Sequence, residues 1–181
     1  MHINRRQLLG LSMLLAGASS WVVGKDIPGQ ASLFLSAAAD AADGHWVYGF
    51  TLTQTNAEQV FKTALPARAH HIAVNAQYGF FVVVARRPGT WMVLADLYTG
   101  NVIRQIQVPA NRHLFGHGVF SADGRFFYTT ESDFADMQGD SGTVVVWEVT
   151  SEDGIATLTR MQEFPTFGVG PHELMLLPDQ Q

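Results

Sequence analysis

The chain has 181 residues, 47% of them hydrophobic and only 15% charged, which is enough for one substantial core and too apolar for a disordered chain. A formal charge of −5 gives no basic field to draw in phosphate backbones or anionic lipids, so nucleic acid and membrane surfaces are poor partners. Cysteine is absent, which removes disulfides, thiolate metal sites and cysteine nucleophiles together and leaves histidine and carboxylates as the strong metal ligands.

In chain order, residues 1–24 have the layout of an export signal: Arg5 and Arg6, then Leu8 and Leu9, then an uncharged apolar run through Val23. The paired arginines match the twin-arginine pattern, although an ordinary secretory signal also opens with basic residues, and the run can be retained as an anchor. Cleavage is expected after Ala16-Gly17-Ala18; the second small-residue site, Ala37-Ala38-Ala39, would cut away a strand. The expectation is a signal over 1–24, a domain over 25–181 and a periplasmic address, with no membrane contact after cleavage.

The domain reads as strands throughout, with no convincing helical period. Residues 32–38, 45–52 and 59–65 predict three strands, which can borrow a fourth from elsewhere. Residues 69–74, 79–85, 90–96 and 102–108 predict four more, separated by turns such as Arg87-Pro88-Gly89 and Tyr98-Thr99-Gly100-Asn101. Residues 118–120, 125–130, 143–149 and 158–164 predict another four, with turns at Ala122-Asp123-Gly124 and Ser151-Glu152-Asp153-Gly154. The last apolar run, Leu174 to Leu177, predicts one strand more.

A repeat organises these strands. His71-Ile-Ala-Val-Asn-Ala-Gln and His117-Gly-Val-Phe-Ser-Ala-Asp superpose without a gap, 46 residues apart, and a third copy begins at Pro171-His172, 55 residues beyond His117. A polar insertion, Glu131 through Gly142, accounts for most of the longer spacing. Each copy follows an apolar residue and a proline: Leu65-Pro66, Val108-Pro109 and Phe164-Pro165. The expected fold is therefore all-β: a partial β-propeller of about three four-stranded antiparallel blades plus the first strand of another. Propellers close with about four to eight blades, so this set is expected to be a truncated one or to associate with further copies through its open blade edges.

The strings Ala85-Arg86-Arg87-Pro88-Gly89-Thr90, Arg112-His113-Leu114-Phe115-Gly116-His117-Gly118, Tyr128-Thr129-Thr130-Glu131 and Gly168-Val169-Gly170-Pro171-His172-Glu173-Leu174 together resemble the family called domain of unknown function 1513. The resemblance runs from about Leu33 to the last residue. It implies a twin-arginine-exported bacterial protein and a seven-bladed propeller of about twice this length, of which this chain holds the N-terminal half. It also implies gene neighbours among periplasmic iron-uptake and imelysin-type proteins, and no established activity.

His71, His117 and His172 take equivalent places in the three copies, and an innermost propeller strand lines the central channel. Neutral imidazoles converging there can bind a transition metal or a redox cofactor; a Gly-His pair also serves as an internal hydrogen-bonding hub in WD-type propellers. His70 and His113 lie off the repeated position. Arg86 and Arg87 can clamp a carboxylate or phosphate, with Arg68 and Arg112 in support, or can pair with Asp96 or Glu131. Glu131, Asp133, Asp136 and Asp140 offer oxygen ligands for Ca²⁺ without the EF-hand spacing, or a solvated loop. Glu173 beside His172 would point to the opposite face of a strand, which argues against a catalytic dyad.

No nucleophile elbow, phosphate loop or zinc-protease motif is present, so no catalytic residue is assigned. The sequence leaves two functions open. One is a periplasmic accessory protein binding a small ligand or a periplasmic partner, linked to metal uptake. The other is a propeller enzyme, lactonase-like or quinoprotein-like, with a metal or cofactor at the channel.

Overall fold

The computed structural model describes residues 22–23, 32–135, 141–152 and 155–177. The expected signal over 1–24 therefore lies outside the described residues, apart from the backbone of Val22 and Val23, as do Asp136, Asp140 and the Pro178-Asp179 turn. Among the described residues there is no helix.

Twelve strands form three antiparallel four-stranded sheets. The first contains β1 (Val22–Val23), β2 (Leu33–Ala39), β3 (His45–Leu52) and β4 (Ala57–Ala64). The second contains β5 (Ala69–Asn75), β6 (Phe80–Ala85), β7 (Trp91–Asp96) and β8 (Val102–Gln107). The third contains β9 (Arg112–Phe120), β10 (Phe126–Asp133), β11 (Thr143–Glu152) and β12 (Ile155–Pro165). Within each sheet the spatial order follows the chain order, so each strand pairs with its neighbour in sequence. The first sheet's fourth strand comes from upstream, where β1 pairs with β2 at Val22 opposite Leu35.

The middle sheet is sandwiched, and its strand pattern shows why. All six residues of β6, Phe-Phe-Val-Val-Val-Ala, are buried, because alternate side chains serve two different cores. Phe80, Val82 and Val84 pack with Leu114, Phe127, Val145, Trp147 and Leu158 of the third sheet. Phe81, Val83 and Ala85 pack with Leu35, Val47 and Phe61 of the first. Two buried polar clasps also join neighbouring sheets: Thr63 Oγ1 donates to the carbonyl of Gly100 at 2.6 Å, and Asn75 Nδ2 to that of Gly124 at 2.9 Å.

Three expectations are corrected. Residues 171–177 form no strand; Leu174 to Leu177 are apolar but lack the hydrogen-bonded neighbour that a strand requires. β9 starts at Arg112 rather than Gly118, because pairing with β10 continues across an irregularity between Thr129 and Glu131. Glu131 belongs to β10 and not to a polar insertion, since the strand runs on to Asp133.

Candidate functional site

Three histidines meet at the seam between the second and third sheets. His70 Nε2 lies 3.1 Å from His117 Nε2, and one ligand nitrogen from each of His70, His117 and His172 falls within 4.8 Å of the others. The rings of His70 and His117 meet edge to face with centroids 4.8 Å apart, and His172 sits 4.6 Å from His117 and 5.7 Å from His70.

Two strand irregularities create this meeting. In β5 the register shifts between Ala69 and His71, which pair with Ala85 and Val84, so His70 is the extra residue of a bulge and is turned out of normal alternation. In β9 the register shifts again between Gly118 and Leu114, which oppose Thr129 and Glu131. The extra residues there include Gly116, whose φ of +103° strongly favours glycine, and a Cβ on it would stand 2.6 Å from the His70 ring. Gly116 thus bends the strand and leaves room for the ring. His172 comes from the irregular 171–177 segment, where its carbonyl accepts a 3.4 Å hydrogen bond from Thr130 Oγ1.

His71 stands beside the cluster without joining it. Its ring lies 5.1 Å from that of His117, its Nδ1 is buried with no hydrogen-bond partner, and burial together with His117 and His70 pushes its pKa down to about 4. Burial also lowers the pKa of His117, reinforced by His70 and His172. His70 is lowered by burial, then by His172, Arg86 and Arg68. These imidazoles therefore stay neutral at pH 7, the state in which they ligate metals.

Geometry allows such a role. Tetrahedral Zn²⁺ with Zn–N bonds near 2.0–2.1 Å places its nitrogens about 3.3 Å apart, close to the His70–His117 separation. His172, exposed and on irregular backbone, must swing in by roughly 1.5 Å to close the 4.8 Å spread to that spacing. Three nitrogens leave a fourth position for water or a ligand.

Beside the cluster, Arg68, Arg86 and Arg87 line an open cleft of about 420 Å³, with Ala67, Pro88, Gly89, Thr90 and Trp91 completing its wall. The Arg87 guanidinium lies 5.2 Å from the Phe115 ring centroid. Asp96 and Glu131, the carboxylates that could have paired with Arg86 and Arg87, are engaged elsewhere. Asp96 accepts from the backbone of Tyr98 and Thr99. Glu131 is fully buried, and Arg160 Nη1 donates to both of its oxygens at 2.8 and 3.0 Å.

Arg112 likewise turns away from the cleft, donating to Glu163 at 2.6 Å and to Thr143 at 3.3 Å. His113 is buried with its ring between Phe115 and Phe134, as a packing residue. Asp133 accepts from Asn111 and from the Ala135 amide. Glu173 follows His172 on backbone that is not a strand, so alternation does not separate their side chains.

A family model described as Protein of unknown function (DUF1513) matches residues 63–181, the stretch that holds every residue of the cluster and cleft. The chain belongs to the DUF1513 family. No curated protein matches this DUF1513 chain. Among solved structures it is similar to hydrazine synthase of Kuenenia stuttgartiensis, at 18% identity and a TM-score of 0.58, over 87% of this chain and 41% of that one. A hypothetical selenium-binding protein from Sulfolobus tokodaii aligns at 14% identity and a TM-score of 0.47, over 81% of this chain and 43% of that one. The DUF1513 chain thus spans less than half the length of either, and the first likeness carries the arrangement of its sheets alone.

Proposed function

We propose that this chain is part of an exported β-propeller that binds a divalent transition metal through His70, His117 and His172, as an accessory protein rather than one with a reaction of its own. The observation that carries the reading is the convergence of three imidazole nitrogens within 4.8 Å at the seam of two sheets. A structural hub would need only one hydrogen bond there, whereas this cluster assembles three rings through two bulges and a glycine. The exposed outer position of His172 gives the metal an entry path.

The sheets behave as successive blades of a larger propeller. Their chain-ordered hairpins, the stacking of the first and third on either face of the second, and the 46-residue repeat all support this. The apolar outer side of the third sheet is then the face that a further blade covers. Seven blades are the expectation carried by family resemblance. Arg5 and Arg6 support export by the twin-arginine route to the periplasm.

Cobalt titration of purified, metal-free protein tests the metal reading. One Co²⁺ per chain with a visible ligand-field spectrum is expected, at least tenfold weaker in His70→Ala, His117→Ala and His172→Ala and retained in His71→Ala. Absence of binding, or loss in His71→Ala alone, overturns it. Arg5→Lys with Arg6→Lys should leave the protein in the cytoplasm on cell fractionation.

A further inference from the structure

The cleft beside the histidines has a chemistry of its own. Arg68 leads into β5, while Arg86 and Arg87 follow β6. The chain holds these two stretches together, since the Arg86 amide donates to the Arg68 carbonyl at 3.0 Å. The far end of the turn is fixed to the next sheet, where the Leu114 amide donates to the Gly89 carbonyl at 2.7 Å. Three guanidinium groups are thus presented from a braced scaffold.

Among the described residues, ion pairs engage Lys62, Arg112 and Arg160, and none engages Arg68, Arg86 or Arg87. Like charges gathered without a carboxylate repel one another, and an anion between them relieves that repulsion. Guanidinium is suited to the task because its planar fork meets a carboxylate or phosphate with two parallel hydrogen bonds.

The rest of the wall narrows the anion's class. Pro88 and Ala67, both exposed, give the cleft an apolar side, on which a bare inorganic ion makes no useful contact. A volume of about 420 Å³ also exceeds what one phosphate fills and falls in the range of small-molecule pockets. We infer that the Arg68, Arg86 and Arg87 cleft binds a small organic anion carrying two or more carboxylates, its carbon skeleton lying against Pro88 and Ala67. The site stands independently of the metal reading, because its groups lie outside the three histidines.

Tryptophan fluorescence and calorimetry on metal-stripped protein at low salt test the site, with tricarballylate, succinate and inorganic phosphate as probes. Tricarballylate is expected to bind at least tenfold more tightly than phosphate and to weaken steeply as NaCl rises, since all three arginines are exposed. Arg86→Gln with Arg87→Gln should weaken it at least tenfold, and Arg68→Gln alone should weaken it measurably. Arg87→Lys, which keeps the charge and loses the fork, should fall between. His117→Ala should leave anion binding intact even where it abolishes metal binding. Phosphate binding equal to tricarballylate, failure of tricarballylate to bind, or an unchanged affinity in the folded arginine variants overturns the inference.

Discussion

The second and third sheets share a repeat and a strand order, yet they are built for different surroundings. β6 of the second sheet has six buried residues in succession, while β11 of the third alternates, with Val145, Trp147 and Val149 buried and Val144, Val146 and Glu148 half-exposed. Met161 and Phe164, farther out on the same sheet, are more than half exposed. The outer side of the first sheet is finished differently again: Phe34 stacks on Phe50 at 5.8 Å, and Lys62 lies 3.7 Å over Trp46. An aromatic surface capped by a cation tolerates water, whereas Val144 and Val146 gain nothing from it. Cohesion is therefore concentrated at the two seams, and the third sheet's outer side contributes little to stability by itself.

Truncation at the double-sided seam should show the largest effect. Phe81→Ala is expected to cost about 3–5 kcal/mol, measured by urea unfolding, because Phe81 is fully buried. A cost below about 1 kcal/mol would mean that cohesion does not reside at this seam. Inside the third sheet, Arg160→Met leaves the Glu131 carboxylate buried and unpaired, at about 3 kcal/mol near neutral pH. Burial already raises the Glu131 pKa against the pull of Arg160. A carboxyl with a raised folded pKa favours folding as pH falls, so this variant should regain stability on acidification.

At the seam itself the sign reverses. His71 falls from 6.5 to about 4, so the unfolded chain takes up its proton first and stability drops as pH falls from 6.5 toward 4, by at most about 3 kcal/mol. Thermal melts against pH should show that slope, flattened in His71→Asn. Gly116→Ala should cost about 1–3 kcal/mol through its φ of +103° and displace the His70 ring, with cobalt binding lost in parallel. Val146→Ala, on the outer side of β11, should cost less than about 1 kcal/mol. A much larger loss would mean that this side is covered in solution.

Much of this layout was legible in residue order. The runs around Phe80–Ala85 and Trp91–Asp96 are apolar without interruption and bounded by turn residues, so their strands were evident within a residue. β9 is longer than its residue pattern suggests, because Gly116 and His117 interrupt that pattern and pairing across an irregularity leaves no periodic trace. Leu174 to Leu177 misled in the opposite sense, since apolar character does not supply a strand partner.

The histidines were found, but gap-free superposition favoured His71, and a bulge placed His70 beside His117 instead. The doublet His70-His71 and the glycine before His117 were the available signals. The Arg160 link to Glu131 spans 29 positions and carries no motif, so only folding brings it into view.

The bulges that assemble the histidines have a further consequence. The β5 bulge sets its strand one residue out of phase with β6, and the β9 irregularity sets its strand two residues out of phase with β10, so the cluster's geometry is stored in strand phase rather than in the cores. Deleting the one extra residue of β5 is expected to restore regular pairing with β6, leaving both hydrophobic seams closed while removing a histidine from its partners. In this architecture, binding can be gained or erased by a single insertion or deletion that stability measurements would barely register.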